Sequence, residues 1–326
     1  MVNGPYIALG WQKMADIPRS LSEFEQRFGD EAVCAEYLAN ARWPKGFICP
    51  GCGSGKAWRL ETKPWTYECS RCGRETSVTA GTVMHHSKLP LTNWFWAAYA
   101  MSTQPRGISA RQLQRELALG SYKTAWLLCA KLRHMMTLPD PTPLSGLVEI
   151  DKTDIAWRDR NRSVTVCGPR KRQSALVVGA VEVQDLRLGR LRLSIVPDDS
   201  ATSLQVFLTT NLAPGATTIK IGRSSVDCLF LATNYDSRLT WLATEDKDLY
   251  WIQRVFSELE VWALSVHHGL RRHHLQAYLD EFSFRFNHRR MRHTAFLSLL
   301  GVAAAHSPLP YDRLVTEARP SGLTLQ

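Results

Sequence analysis

Leu147-Val148-Glu149-Ile150-Asp151 is a short apolar run that ends on a carboxylate. Its β-branched content marks a strand, and two runs of the same kind follow: Ser174 to Val183 (SALVVGAVEV) and Arg190 to Val196 (RLRLSIV). Asp185 to Gly189 supplies the turn between them. Ser200 to Leu212 then reads as an amphipathic helix, Thr217 to Ile221 as a fourth strand, and Tyr250 to His306 as almost wholly helical. Three antiparallel strands, a crossover helix, a further strand and C-terminal helices predict an α/β domain of the RNase H-like type over residues 147–326.

Working outward, Leu138-Pro139-Asp140-Pro141-Thr142-Pro143-Leu144 is Pro-rich and predicts a linker over 138–146. Before it, Trp94 to Met136 is helical in pattern, giving a helical region over 86–137. Residues 43–85 differ in texture, with Gly, Cys and short β-type runs such as Trp65-Thr66-Tyr67-Glu68. The first 42 residues form an N-terminal segment in which Leu21, Phe24, Phe28, Ala32, Val33 and Tyr37 predict one helix over 20–40.

The 326 residues carry 40 Lys+Arg against 30 Asp+Glu, a net charge of +10. That balance favours a polyanionic partner, nucleic acid above all. No run of about 18 apolar residues exists, so a membrane span is not expected. Met1-Val2-Asn3-Gly4-Pro5 lacks the charged-then-apolar layout of a secretory signal. A cytoplasmic, nucleoid-associated protein is expected, and its eight cysteines are read as thiols or metal ligands rather than disulfides.

Four of those cysteines have metal-ligand spacing. Cys49-Pro50-Gly51-Cys52 and Cys69-Ser70-Arg71-Cys72 are two CxxC knuckles with 16 residues between them. Tetrahedral Zn²⁺ takes four soft ligands, and two knuckles on facing hairpin turns supply them, so a zinc ribbon outweighs chance clustering or a redox pair. Cys34, Cys129, Cys167 and Cys228 sit singly in apolar surroundings and read as small core residues.

A DNA-reading element is expected after the ribbon. Gly107 to Leu117 reads as a helix capped by Ser109, Ala118-Leu119-Gly120-Ser121 as a turn, and Tyr122-Lys123-Thr124-Ala125-Trp126 as the start of a second helix. This is the layout of a helix-turn-helix, with Tyr122 and Lys123 at the groove-entering end and Arg111 and Arg115 on the preceding helix as backbone contacts. An ordinary helical hairpin has the same pattern. Two basic runs, Arg158 to Arg172 and Arg285 to His293, also read as phosphate contacts.

Taken in order, these segments resemble the ISXO-like zinc-ribbon DDE transposases of insertion sequences, the fifteen-ninety-five family. The residues that carry the resemblance are the CxxC pairs, Gly81-Thr82-Val83-Met84, Ser121 to Trp126, Val148-Glu149-Ile150-Asp151 and Val178 to Glu182. Asn211 to Ala216 and the long string from His274 to Phe282 with Phe284-Arg285-Phe286-Asn287 complete them. The resemblance implies an RNase H-like domain that cuts and joins DNA with two divalent ions. Its pattern places an acid after strand one, a second after strand four, a polar ligand on the next helix and a lysine seven residues later.

This chain departs from that pattern. Asp151 matches the first acid, but Lys152 and Asp154 replace the family's neighbouring glutamate and tyrosine, and Ala156-Trp157 a usual Gly-Gly. Ile221, in Lys220-Ile221-Gly222-Arg223, stands where the second acid belongs, in a register fixed by Gly215, Leu229 and Tyr235. Gln253 takes the third position and Glu260 replaces the lysine. Two Mg²⁺ ions about 4 Å apart require converging carboxylates. The favoured reading is therefore a double-stranded-DNA-binding protein of transposase descent with structural Zn²⁺ and impaired chemistry, with a homo-oligomer on DNA left open. The competing reading is an active enzyme that uses Mg²⁺ and displaced carboxylates from Asp227, Glu258 or Glu260.

Overall fold

The computed structural model describes residues 17–137, 142–156, 174–184, 187–222, 240–244, 249–267 and 270–316. The chain forms two compact units: residues 1–138 with 290–314, and residues 139–289 with 315–326.

The first unit begins with α1 (Leu21–Phe28) and α2 (Glu31–Arg42). The single helix expected over 20–40 is thus two, because the first ends on its C-cap Gly29 and Asp30 caps the start of the second. Its carboxylate accepts the Ala32 N–H at 2.6 Å, as Ser20 accepts that of Glu23 at 3.2 Å. Next come β1 (Ala57–Arg59), β2 (Thr66–Cys69) and β3 (Glu75–Ser77), an antiparallel sheet in sequence order. Arg42, the last residue of α2, donates to the carbonyls of Ser77 (3.0 Å), Val78 (2.6 Å) and Ala80 (2.6 Å), tying the helix to the end of that sheet.

Three helices follow: α3 (Leu91–Thr103), α4 (Ala110–Glu116) and α5 (Tyr122–Met136). Pro90 at the start of α3 offers no capping side chain. Glu31 of α2 does the capping instead, accepting the N–H groups of Leu91 at 2.7 Å and Thr92 at 3.0 Å.

The second unit is a five-stranded sheet: β4 (Leu144–Ala156), β5 (Ser174–Gln184), β6 (Arg187–Ile195), β7 (Leu212–Gly222) and β8 (Thr240–Thr244). Their order is β6-β5-β4-β7-β8, antiparallel from β4 to β6 and parallel from β4 to β8. Helix α6 (Ala201–Asn211) precedes β7, and α7 (Tyr250–His267) and α8 (Leu275–Asn287) follow β8. The four anticipated strands are present. Thr240 to Thr244, the fifth, was not anticipated, and β4 starts at Leu144, inside the expected linker. The basic stretch Arg158 to Arg172, with Cys167 and Cys228, lies outside the described residues.

Strand alternation divides the core of this unit. Val148 and Ile150 of β4 face α6, packing with Leu204, Phe207 and Leu208. The opposite face of the sheet, with Ile155, Val177 and Val181, packs on Ile252, Val255, Phe256 and Leu259 of α7 and on Leu279 and Phe282 of α8. Gly179, paired with Asp151, lets α7 press close: a Cβ there would stand 2.8 Å from the Phe256 ring. Helix α8 docks on β6 through two amides. Asn287 accepts from Leu191 N–H at 2.7 Å and donates to its carbonyl at 3.1 Å. Gln276, three turns earlier, accepts from Ile195 N–H at 2.9 Å and donates to the Leu193 carbonyl at 3.2 Å.

Residues 290–314 correct the expectation that everything from 147 onward is one domain. Helix α9 (Arg292–Ala305) packs against α3, α2 and α5 of the first unit, followed by α10 (Tyr311–Thr316). The reason is aromatic. Phe296, fully buried, meets Phe24, Phe28 and Tyr99 edge-on, with ring centroids 5.7, 5.6 and 5.6 Å away. We expect Phe296→Ala to destabilise the first unit by about 3–5 kcal/mol, read as a lower denaturant midpoint. A chain ending at residue 137 should fail to unfold cooperatively; a sharp transition in that fragment would refute the role given to α9.

Candidate metal centre, helix pair and acidic cleft

The two knuckles are built alike. Each second cysteine precedes a glycine of positive φ, Gly53 (72°) and Gly73 (66°), which turns the chain back. The glycine N–H groups close the turns onto the carbonyls of Cys49 and Cys69, both at 2.9 Å. Cys69 ends β2, and the four sulfurs converge: Cys49 to Cys72 at 3.6 Å, Cys52 to Cys69 at 3.5 Å, and all within 4.8 Å of one another. A tetrahedron with Zn–S bonds of about 2.3 Å has edges of about 3.8 Å, so the set fits Zn²⁺. Burial raises the Cys69 thiol, but the N–H groups of Arg71 and Cys72 outweigh it and bring it to about 6. Cys49 is lowered in the same way, by Cys52 and Gly51 N–H groups against burial. Thiolates are the ligand form, and backbone dipoles favour them at Cys49 and Cys69, whereas at Cys72 the lowering by the Arg74 N–H is outweighed by hydrogen bonds with the Cys52 and Cys49 side chains, which push the thiol up.

Helices α4 and α5 pack on each other through buried Ala110, Leu113, Ala125 and Leu128. Ser109 caps the first, accepting Gln112 N–H at 3.2 Å, and Ser121 the second, accepting Lys123 N–H at 3.1 Å. Ala118 takes φ 47° in the turn between them. Arg111, Arg115, Tyr122 and Lys123 are all exposed. The Lys123 ammonium lies 4.8 Å from the centre of the Tyr311 ring, a neighbour no sequence pattern indicated.

Asp151 is nearly buried on β4. Its Oδ2 accepts from Gln253 Nε2 at 2.7 Å and its Oδ1 from Lys152 N–H at 2.8 Å. A carboxylate only accepts, so the amide turns its NH₂ toward it. Two residues earlier on the same face, buried Glu149 accepts the N–H groups of Trp251 (2.9 Å) and Ile252 (3.1 Å), and so holds the first turn of α7 over the strand. In the parallel β4/β7 pair, Ile221 stands at the register position of Ile150, one residue from Asp151.

Of the displaced carboxylates, Glu258 is exposed and paired with Arg254 at 3.1 Å, and Glu260 is exposed. Asp227 lies outside the described residues. Acids that the sequence did not single out share a shallow cleft with Asp151: Asp198 and Asp199, with Lys152, Ser200 and Leu204 among its other walls. Lys152 bonds Asp199 at 2.5 Å, and the hydroxyls of Ser200 and Ser203 hold the Asp198 carboxyl below its ordinary range. Among the described residues only the four cysteines bring three or more His, Cys, Asp or Glu ligand atoms together.

The second basic run is only partly available to phosphate. Arg289 donates to the carbonyls of Gly189 (3.1 Å), Phe286 (2.7 Å) and Leu188, and its guanidinium lies 4.1 Å from the centre of the Phe286 ring. His288 bonds the Phe284 carbonyl through Nδ1 at 2.8 Å. These two residues fasten the end of α8.

Purified protein should carry one zinc per chain, measured by atomic emission. Cys52→Ser together with Cys72→Ser should remove it and unfold residues 43–85. Metal-free protein with an unchanged ribbon spectrum would rule the site out.

Residues 29–75 match the transposase zinc-ribbon domain, and residues 143–287 the ISXO2-like transposase domain. Over 141 residues the chain is 33% identical to an uncharacterized protein in transposable element ISH50 of Halobacterium salinarum. That similarity covers 41% of this chain and 47% of the other, so the chain spans about half the length of this curated relative. Two separate segments of the chain are thus similar to the zinc-ribbon and ISXO2-like domains of transposases.

Proposed function

We propose that the protein binds duplex DNA through its first unit, with α4 and α5 as a helix-turn-helix, and that its RNase H-like second unit does not cut or join strands. The carrying observation is the Asp151–Gln253 hydrogen bond. It puts an uncharged amide donor where the family chemistry needs a metal, beside a strand bearing Ile221 instead of an acid. Exposed Arg111, Arg115, Tyr122 and Lys123, together with the net charge of +10, support the DNA-binding half of the reading. A nucleoid location and assembly of several copies on DNA are consistent with it. No helix among the described residues is long and apolar enough to cross a membrane.

A second reading has one observation in its favour: Asp198 and Asp199 line the cleft of Asp151. If α7 moved and Lys152 released Asp199, three acids would stand at one cleft, and strand transfer would use them.

Selection of bound duplexes from a random pool, followed by cleavage assays with Mg²⁺ or Mn²⁺, separates the two. We expect binding that weakens steeply with salt and no divalent-dependent product. Lys123→Glu should weaken binding by roughly one order of magnitude and flatten the salt dependence by about one contact. Cleavage that disappears in both Asp151→Ala and Asp199→Ala would establish the active reading instead.

A further inference from the structure

We propose that Tyr311, from the far end of the chain, is part of the DNA-binding surface and holds the Lys123 ammonium in position for a backbone phosphate. The inference rests on the DNA-binding reading of α5.

Lys123 is the second residue of α5, exposed, and the first turn of that helix carries no acid. Among the described residues no carboxylate pairs with it. Instead its Nζ lies 4.8 Å from the centre of the Tyr311 ring. Trp126, one turn on, meets the same ring edge-on at 6.4 Å. Tyr311 is itself fixed from behind, because Leu309 is buried and α9 is anchored in the first unit by Phe296. Tyr311 remains 44% exposed, and Tyr122, the residue before Lys123, is 50% exposed.

The chemistry of the contact matters. A carboxylate in the place of Tyr311 would immobilise the lysine but cancel its charge. An aromatic face attracts the cation through its quadrupole and leaves the charge whole. A free lysine carries large rotamer freedom that is lost when it meets a phosphate. A ring that restricts the ammonium beforehand lessens that loss. A preorganised, un-neutralised cation beside an exposed aromatic side chain suits a phosphodiester backbone. The surface is then assembled from residues 188 positions apart, Lys123 and Tyr311.

Full-length, zinc-loaded protein and a fluorescent 30-base-pair duplex at low salt provide the test, with affinity read by anisotropy. Tyr311→Leu should weaken binding about two- to fivefold. Tyr311→Phe, which keeps the ring, should bind like the natural protein and so exclude a general loss of fold. On a Lys123→Ala background, Tyr311→Leu should have no further effect. Equal losses on both backgrounds, no loss at all, or tighter binding by Tyr311→Leu, which would make α10 a cover, each overturn the proposal. Failure of the natural protein to bind any duplex overturns the DNA-binding reading as well. Binding with Tyr311 inert overturns this inference alone.

Discussion

A buried carboxylate on a helix terminus organises the second unit. Glu149 is 2% exposed, and an unpaired charge at that depth would cost several kcal/mol. The two N–H groups at the start of α7 offset that cost and, in return, fix where the helix begins. With that start fixed, residue 253 falls beside residue 151, and Phe256 falls on Gly179, the one position of β5 there without a side chain. The side chain that this arrangement sets against Asp151 is an amide.

Much of this was legible in the sequence because the signals are local. CxxC spacing, the serine cap at 109, and the alternating apolar runs of β4 and β5 each involve neighbouring residues. The Asp151, Ile221 and Gln253 positions were legible through resemblance, and the backbone register puts 221 beside 150. What stayed hidden depends on contacts across long separations. Glu31 capping α3 spans 60 residues, and nothing in the periodicity of α3 reports it. Asp198 and Asp199 look like ordinary turn residues until the start of α6 places them near β4. Strand β8 is only five residues long, too short for its alternation to stand out in the sequence.

The helix after residue 290 shows the same limit more strongly. Its apolar residues predict only that it is buried, and proximity in sequence suggests burial on the α/β sheet. Aromatic complementarity decides otherwise: Phe24, Phe28, Phe95 and Tyr99 leave a place that Phe296 fills. Likewise the amides of Gln276 and Asn287, part of the most recognisable string in the chain, are bonded to the backbone of β6. They satisfy backbone groups of a strand that lies at the edge of the sheet among the described residues.

The placement of α9 has a consequence for how the protein is made. Domains usually close in the order in which they leave the ribosome, N-terminal first. Here the earliest-made helices lack a core residue that is synthesised more than 250 positions after Phe28. The ribbon can gather its metal early, but α1 to α3 must wait, with their aromatic faces open, while the whole α/β sheet is synthesised and folds. The unit that comes first in the sequence is completed last in time, and throughout that interval its unsealed aromatic surface is the part of the nascent chain most in need of a chaperone.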